Sequence, residues 1–178
     1  MVRILIAMLL LPSIARADTV VETQVGEVDT RIFIPDSVKP LRAVIVHAAN
    51  CKLSDSDRWA ELCRQMNLAH VAMNIANVQK ATNRPNKLHT ALHQGLKEFA
   101  EKSGRKELVN LPFAGTGHSA GGLVTGVLLR NPQRTITNCV DCGWVMDSAK
   151  LTPESRHVPA LFTMGAVPDA FKMLPSIE

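Results

Sequence analysis

The stretch Leu111–Arg130, LPFAGTGHSAGGLVTGVLLR, constrains the fold more than any other part of the chain. It begins with an apolar run typical of a buried strand and passes through a glycine-flanked serine at Ser119. Apolar residues then recur at the spacing of one helical face. Asn131 and Pro132 predict the end of that helix. The stretch therefore predicts a strand, a tight turn and a helix in direct succession.

The turn carries the pattern G-x-S-x-G, formed by Gly117, Ser119 and Gly121. A serine on a sharp strand-to-helix turn lies in strained backbone, and glycine at both flanking positions removes side chains that would clash there. The helix start directs the N–H of Ala120 toward an oxyanion formed beside the serine hydroxyl. These residues suit a nucleophilic serine. A phosphate-binding glycine turn is the alternative, but no G-x-G-x-x-G pattern or Walker lysine accompanies it.

The remaining chain alternates short apolar runs with amphipathic stretches. Strands are predicted at Ala43–His47, Ala69–Ile75, Gly143–Met146 and Ala160–Met164. Helices are predicted after a capping signature at Ser54 and Asp57, with the stripe Trp59, Leu62, Cys63 and Met66, and over Leu88–Lys102. Thr19–Thr23 and Val28–Ile34 predict a hairpin at the sheet edge. This order predicts an α/β fold, a mostly parallel sheet with helices on both faces.

The elbow, together with the segment VPALFTMGAVPD, resembles the α/β-hydrolase superfamily. Within it, the chain is similar to secreted bacterial esterases of the dienelactone-hydrolase and polyhydroxybutyrate-depolymerase type, from about Val20 to Phe171. The resemblance implies a serine esterase with Ser119 as nucleophile and Asp169, after the last predicted strand, as the acid. Asp147 is the reserve acid, and a turn-capping role is the alternative for either aspartate. The resemblance also implies a second oxyanion donor near Asn50 beside Ala120.

The sequence has no histidine at the position where the resemblance leads us to expect the catalytic base. All six histidines precede Asp169, whereas the base of the resembled family follows a last strand that this sequence does not contain. His118 is directed away from its neighbour Ser119, and His157 precedes a strand and so belongs to the wrong end of the sheet. The resemblance therefore implies a C-terminally truncated hydrolase that lacks its last strand and helix. The alternative is a catalytically dead, exported binding or interaction module.

The first 17 residues predict a secretory signal peptide, with Arg3 before an apolar run, Ile4–Leu11, and an A-x-A cleavage site at Ala15 to Ala17. The apolar run is far shorter than the roughly 20 residues that span a bilayer. We therefore expect one domain, residues 18–178, in a secreted or periplasmic protein. A nucleic-acid-binding protein is expected to carry a clustered basic face with aromatic residues, and this sequence shows no such pattern. The expected partner is a small-molecule or polymeric ester, with no cofactor and no membrane span.

Export makes disulfides the simplest fate of the four cysteines, and short spacing favours Cys51 with Cys63 and Cys139 with Cys142. Zinc, a redox pair and free buried thiols are the alternatives. His89 and His93 lie four apart on a predicted helix, but Thr90 occupies the position where a zincin motif needs Glu. We therefore interpret both histidines, with Lys97, as a solvated helix face and expect no metal site there.

Overall fold

In a computed structural model of the protein, the apolar runs of the sequence form the strands of one sheet. The structure describes residues 17–25, 28–37, 39–49, 57–75, 85–118, 121–122, 125–126, 128, 132–141, 153 and 156–163. The strands are β1 Thr19–Val25, β2 Val28–Ile34, β3 Ala43–Ala49, β4 Leu68–Ile75, β5 Phe113–His118, β6 Thr135–Asp141 and β7 Ala160–Thr163. The helices are α1 Asp57–Met66 and α2 Pro85–Ser103, with 3-10 turns at Lys106–Asn110 and Pro132–Arg134.

The sheet order is β1-β2-β4-β3-β5-β6-β7. Strands β1 and β2 form an antiparallel hairpin, and β2 pairs antiparallel with β4. Every other neighbouring pair is parallel. This topology confirms the predicted mostly parallel sheet and its N-terminal hairpin. The hairpin is more than an edge decoration, because Ile32 and Ile34 of β2 belong to the main hydrophobic core.

Strand β6 was not predicted. The sequence analysis placed a strand at Gly143–Met146, which lies outside the described residues, whereas the chain beside β5 is Thr135–Asp141. Its polar residues hide the apolar alternation on which strand prediction depends. The pairing also shifts between Phe113 and Ala114, which leaves Ile136 with 51% of its surface exposed. Consequently Cys139 lies within a strand and not before one.

The core is one cluster to which β3, β4 and α2 all contribute, and α2 lies against the hairpin of β1 and β2. The members of the core share very low exposure and include Val44, Val46, Val71, Met73, Leu92, Leu96 and Phe99. Leu92, Leu96 and Phe99 thus form the inward face of the helix that was predicted over Leu88–Lys102. The predicted stripe of α1 is narrower than expected, since Cys63 is fully buried but Met66 is 43% exposed.

Both helices end in left-handed backbone. Asn67, with φ of 53°, follows α1, and Gly104, with φ of 73°, follows α2. This conformation ends a helix by turning the chain away from its axis, and Gly and Asn adopt it most readily. Strand β4 begins directly after Asn67, so one residue reverses the chain from α1 into the sheet.

Candidate active site

The structure describes residues on both sides of the predicted elbow. Ser119 and Ala120 lie outside the described residues, but β5 ends at His118 and helical backbone is present at residues 121, 122, 125, 126 and 128. A Cβ on Gly117 would lie 2.3 Å from the carbonyl oxygen of Gly121 and 2.8 Å from the nitrogen of Gly122. Real Cβ atoms do not approach backbone atoms so closely. The turn is therefore so tight that residue 117 must be glycine.

The first helical turn after the elbow is held by side-chain as well as backbone contacts. Thr125 is fully buried, and its hydroxyl donates to the carbonyl oxygens of Gly121 and Gly122, at 3.3 Å each. Gly121 and Gly122 are themselves buried, whereas His118 is exposed. The chain thus passes from an exposed strand end to a buried helix start, and a nucleophile elbow has this arrangement.

The sheet register brings the neighbouring strand ends to this edge. Ala48 of β3 pairs with Gly117, and Asp141 of β6 pairs with His118. Because β3, β5, β6 and β7 are parallel, the chain leaves all of them at the same edge of the sheet, where ligands bind in open α/β sheets. The other predicted site residues follow these strands and lie outside the described residues: Asn50, Ala120, Asp147 and Asp169. Their roles stay predictions.

Three histidines lie at the opposite edge. His157 is exposed and precedes β7, as predicted. His93 contacts the ring of Phe113, the first residue of β5, and His89 lies one helical turn before it on α2. All three therefore lie at the edge opposite the one where β5 ends.

Two other histidines are covered by α1. The indole of Trp59 stacks on His70 with ring centroids 4.9 Å apart, and His47 lies 5.7 Å from His70. Burial, with smaller contributions from His47 and Arg31, lowers the pKa of His70 to about 4, and burial also lowers the pKa of His47. The buried Nε2 of His70 has no hydrogen-bond partner among the described residues. These rings are neutral parts of the packing between α1 and the sheet.

The interpretation of His89 and His93 as a solvated face is wrong. Both rings are half-buried, and their Nε2 atoms lie 3.0 Å apart. Arg134 Nη1 lies 3.2 Å from Nδ1 of His93, and a guanidinium can only donate. His93 Nδ1 therefore accepts, and the proton of its neutral ring is on Nε2, which donates to His89. Neither Nε2 lone pair is then free for a metal ion.

Arg134 is a half-buried cation that the sequence analysis missed. Besides its bond to His93, its guanidinium donates to the carbonyl oxygens of Leu111 and Leu108 and lies 4.2 Å over the ring of Phe113. Burial, together with His89, Arg134 and Lys97, lowers the pKa of His93 to about 4. Within the described ranges, no group of three or more His, Cys, Asp or Glu residues is arranged to hold a metal ion.

The structure does not bear out the two predicted disulfides. Cys63 and Cys139 are free thiols, and their predicted partners, Cys51 and Cys142, lie outside the described residues. Cys63 is fully buried on the inner face of α1, and burial, opposed in part by Arg64, raises the pKa of its thiol to about 11. Such a thiol stays protonated and resists oxidation at neutral pH.

No helix in the described part of the chain is long and apolar enough to cross a membrane. No protein-family model matches the chain, and no curated protein matches it. Solved structures do. A dienelactone hydrolase-like promiscuous phosphotriesterase from metagenomic libraries matches 90% of this chain and 76% of its own, with 13% identity and a TM-score of 0.58.

Two further structures match in the same way. The dienelactone hydrolase of Anabaena variabilis is 18% identical, over 90% of this chain and 76% of its own, with a TM-score of 0.52. The acylaminoacyl peptidase of Pyrococcus horikoshii is 13% identical, over 72% of this chain and 24% of its own, also with a TM-score of 0.52. Together with the strand order and the elbow, these likenesses establish that the chain has the α/β-hydrolase fold.

Proposed function

We propose that the protein is a serine hydrolase that attacks carboxylic esters through an acyl-enzyme at Ser119. The observation that supports this proposal is the close approach of Gly117 to the backbone of Gly121, because a turn this tight needs glycine at 117, as the G-x-S-x-G pattern of a nucleophile elbow does. The hydrolases among the similar structures support the same class of activity. In such a fold, however, the site and not the fold decides the reaction.

In the proposed reaction Ser119 Oγ bonds to the acyl carbon, and the hydroxyl proton leaves with the alcohol through a base. The N–H of Ala120 and a donor near Asn50 hold the oxyanion, and Asp169 orients the base. Water then adds to the acyl carbon and releases the acid. The substrate is a small-molecule or polymeric ester.

The base limits the rate of this chain. All six histidines lie in the described part of the chain: five are at the far edge or under α1, and the sixth, His118, directly precedes the nucleophile on the turn. Loss of one member of a catalytic triad costs a factor of about a million in turnover, and binding with the oxyanion hole preserves roughly a thousandfold or more over water. We therefore expect slow acylation by the 178-residue chain. The same placement favours the second candidate, a binding module that keeps the fold without the chemistry.

A fluorophosphonate probe separates the two candidates. The 178-residue chain is incubated with the probe, with and without added imidazole as a substitute base, and its intact mass is measured. We expect one adduct, formed faster with imidazole and missing in Ser119→Ala. Equal labelling of that variant would assign the adduct to another residue. If the chain gains no adduct even with imidazole, the hydrolase proposal fails and the binding module is supported.

A further inference from the structure

The described N-terminal end of the chain is anchored through a single side chain. Ala17 is exposed, and the next residue, Asp18, accepts hydrogen bonds through both of its carboxylate oxygens. Oδ2 accepts from Nε and Nη2 of Arg64, at 2.9 and 2.7 Å, and Oδ1 accepts from the backbone N–H of Asp36 at 2.9 Å. We call these three hydrogen bonds the Asp18 clamp.

The clamp joins the chain end to two separate elements. Arg64 lies in the last turn of α1, and Asp36 lies just past β2. Arg64 is itself held over the ring of Phe33, at 5.5 Å, and by Glu61 at 3.5 Å. Partial burial opposes ionisation of Asp18, but its hydrogen bonds from Arg64 and Asp36 outweigh this and lower its pKa. The carboxylate is therefore charged and fixed at neutral pH.

Strand β1 begins at the next residue, and Thr19 pairs with Ile34 in its first position. Asp18, which the clamp holds, thus directly follows the A-x-A pattern at Ala15–Ala17. We propose that a secretory signal peptidase cleaves the bond between Ala17 and Asp18, and that the Asp18 clamp holds the new N-terminus of the mature protein.

The reaction is a simple hydrolysis. Water adds to the carbonyl carbon of Ala17, the C–N bond to Asp18 breaks, the leader leaves with a carboxylate at Ala17, and Asp18 gains a free ammonium group. All three bonds of the clamp use the side chain of Asp18 and none uses its backbone nitrogen. Cleavage therefore leaves the clamp intact. The exposed, irregular backbone at Ala17 also suits an extended peptide in a protease cleft.

The cleavage is tested by expressing the 178-residue chain in a bacterium with a periplasm and sequencing the N-terminus of the periplasmic product. We expect Asp18 as the first residue. Ala17→Leu places a large side chain where signal peptidases need a small one and should abolish cleavage at this bond. Val20→Leu, an exposed position beyond the bond, should leave cleavage unchanged. A product that keeps its leader, or begins at another residue, overturns the proposal.

The clamp is tested on the mature chain by amide hydrogen exchange. In Asp18→Ala the amide of Asp36 loses its acceptor, so we expect its exchange to become about tenfold faster or more. Arg64→Gln should loosen the same carboxylate, whereas Arg58→Gln, an exposed arginine of α1, should not. An unchanged Asp36 amide in Asp18→Ala would refute the clamp. Neither test depends on Ser119, so the outcome is independent of the proposed hydrolase activity.

Discussion

Replacement of Gly117 by alanine tests the elbow directly. The added Cβ would lie 2.3 Å from the carbonyl oxygen of Gly121, and ordinary contact begins near 3.4 Å. The two backbones must therefore separate by about 1 Å. Both belong to regular elements, β5 and the helix after it, so no flexible side chain can relieve the overlap. Overpacking typically costs about 1–3 kcal/mol, and we expect the upper end of this range or more.

Gly95→Ala is the matched control for this change. A Cβ on Gly95, within α2, would lie 3.6 Å from Val25 and 3.7 Å from Phe99, which is ordinary contact. Alanine is better than glycine in a helix by about 1 kcal/mol. The same chemical change should therefore stabilise the protein at position 95 and destabilise it at position 117.

Thermal unfolding followed by circular dichroism measures both effects. For a domain of this size, 1 kcal/mol corresponds to about 2–4 °C in Tm. We expect Gly117→Ala to lower Tm by about 6–12 °C and Gly95→Ala to raise it by about 2–4 °C. Displacement of a reacting group by about 1 Å costs roughly a hundredfold in rate, so probe labelling of Ser119 should fall by that factor. A Gly117→Ala variant with unchanged Tm would refute the tight turn.

Three further changes test the packing around the site. In His70→Phe, the loss of stability on acidification should shrink. The folded pKa of about 4 lies below the unfolded value of 6.5, so the stability that the neutral His70 contributes, about 3 kcal/mol, is lost as the pH drops through this window. Urea denaturation at pH 7 and pH 4 should therefore show a fall about 3 kcal/mol smaller in the variant than in the parent chain, while His93, whose pKa is also lowered to about 4, contributes to the fall in both. Arg134→Met leaves two backbone carbonyls without their donor and should cost about 2–4 kcal/mol in urea denaturation; a cost below about 0.5 kcal/mol would contradict the described hydrogen bonds. Gly115→Ala would place a Cβ 2.3 Å from Oδ1 of buried Asn138 and should therefore destabilise the protein. In a double-mutant cycle, Asn138→Ala should recover at least about 1 kcal/mol of the stability that Gly115→Ala removes, and additive effects of the two substitutions would argue against the contact.

The sequence predicted the parts of the fold that follow from apolar periodicity. The N-terminal hairpin, β3, β4, β7 and the inward face of α2 all lie where apolar residues recur at a regular spacing. Strand β6 could not be predicted in this way, because its buried position 138 is an asparagine and Ile136 is exposed at the shift in pairing. Its place in the sheet is fixed by hydrogen bonds to β5, which leave no periodic signal.

The site was predictable only in part for a similar reason. Glycine is required at position 117 by a turn between residues that are close in the chain. The short pattern G-x-S-x-G is therefore enough to predict it. The contacts of His93 with Arg134 and Phe113 join residues far apart in the chain. No spacing rule connects them, so the two histidines on α2 were misinterpreted as solvent-facing. The thiol of Cys63, a residue of α1, is likewise free and buried because of contacts that join distant parts of the chain.

The strand order also dictates when the site can form during synthesis. Strand β3 is flanked by β4 on one side and β5 on the other, and its residue Val44 pairs with both Ala69 and Phe113. A nascent chain that has emerged only as far as Ile75 can already pair β1, β2, β4 and β3. The other edge of β3 stays open until β5 has left the ribosome. Long-range pairing of this kind slows folding, so we expect the elbow to be assembled on a half-sheet that is already in place, before β6 and β7 are added beyond β5.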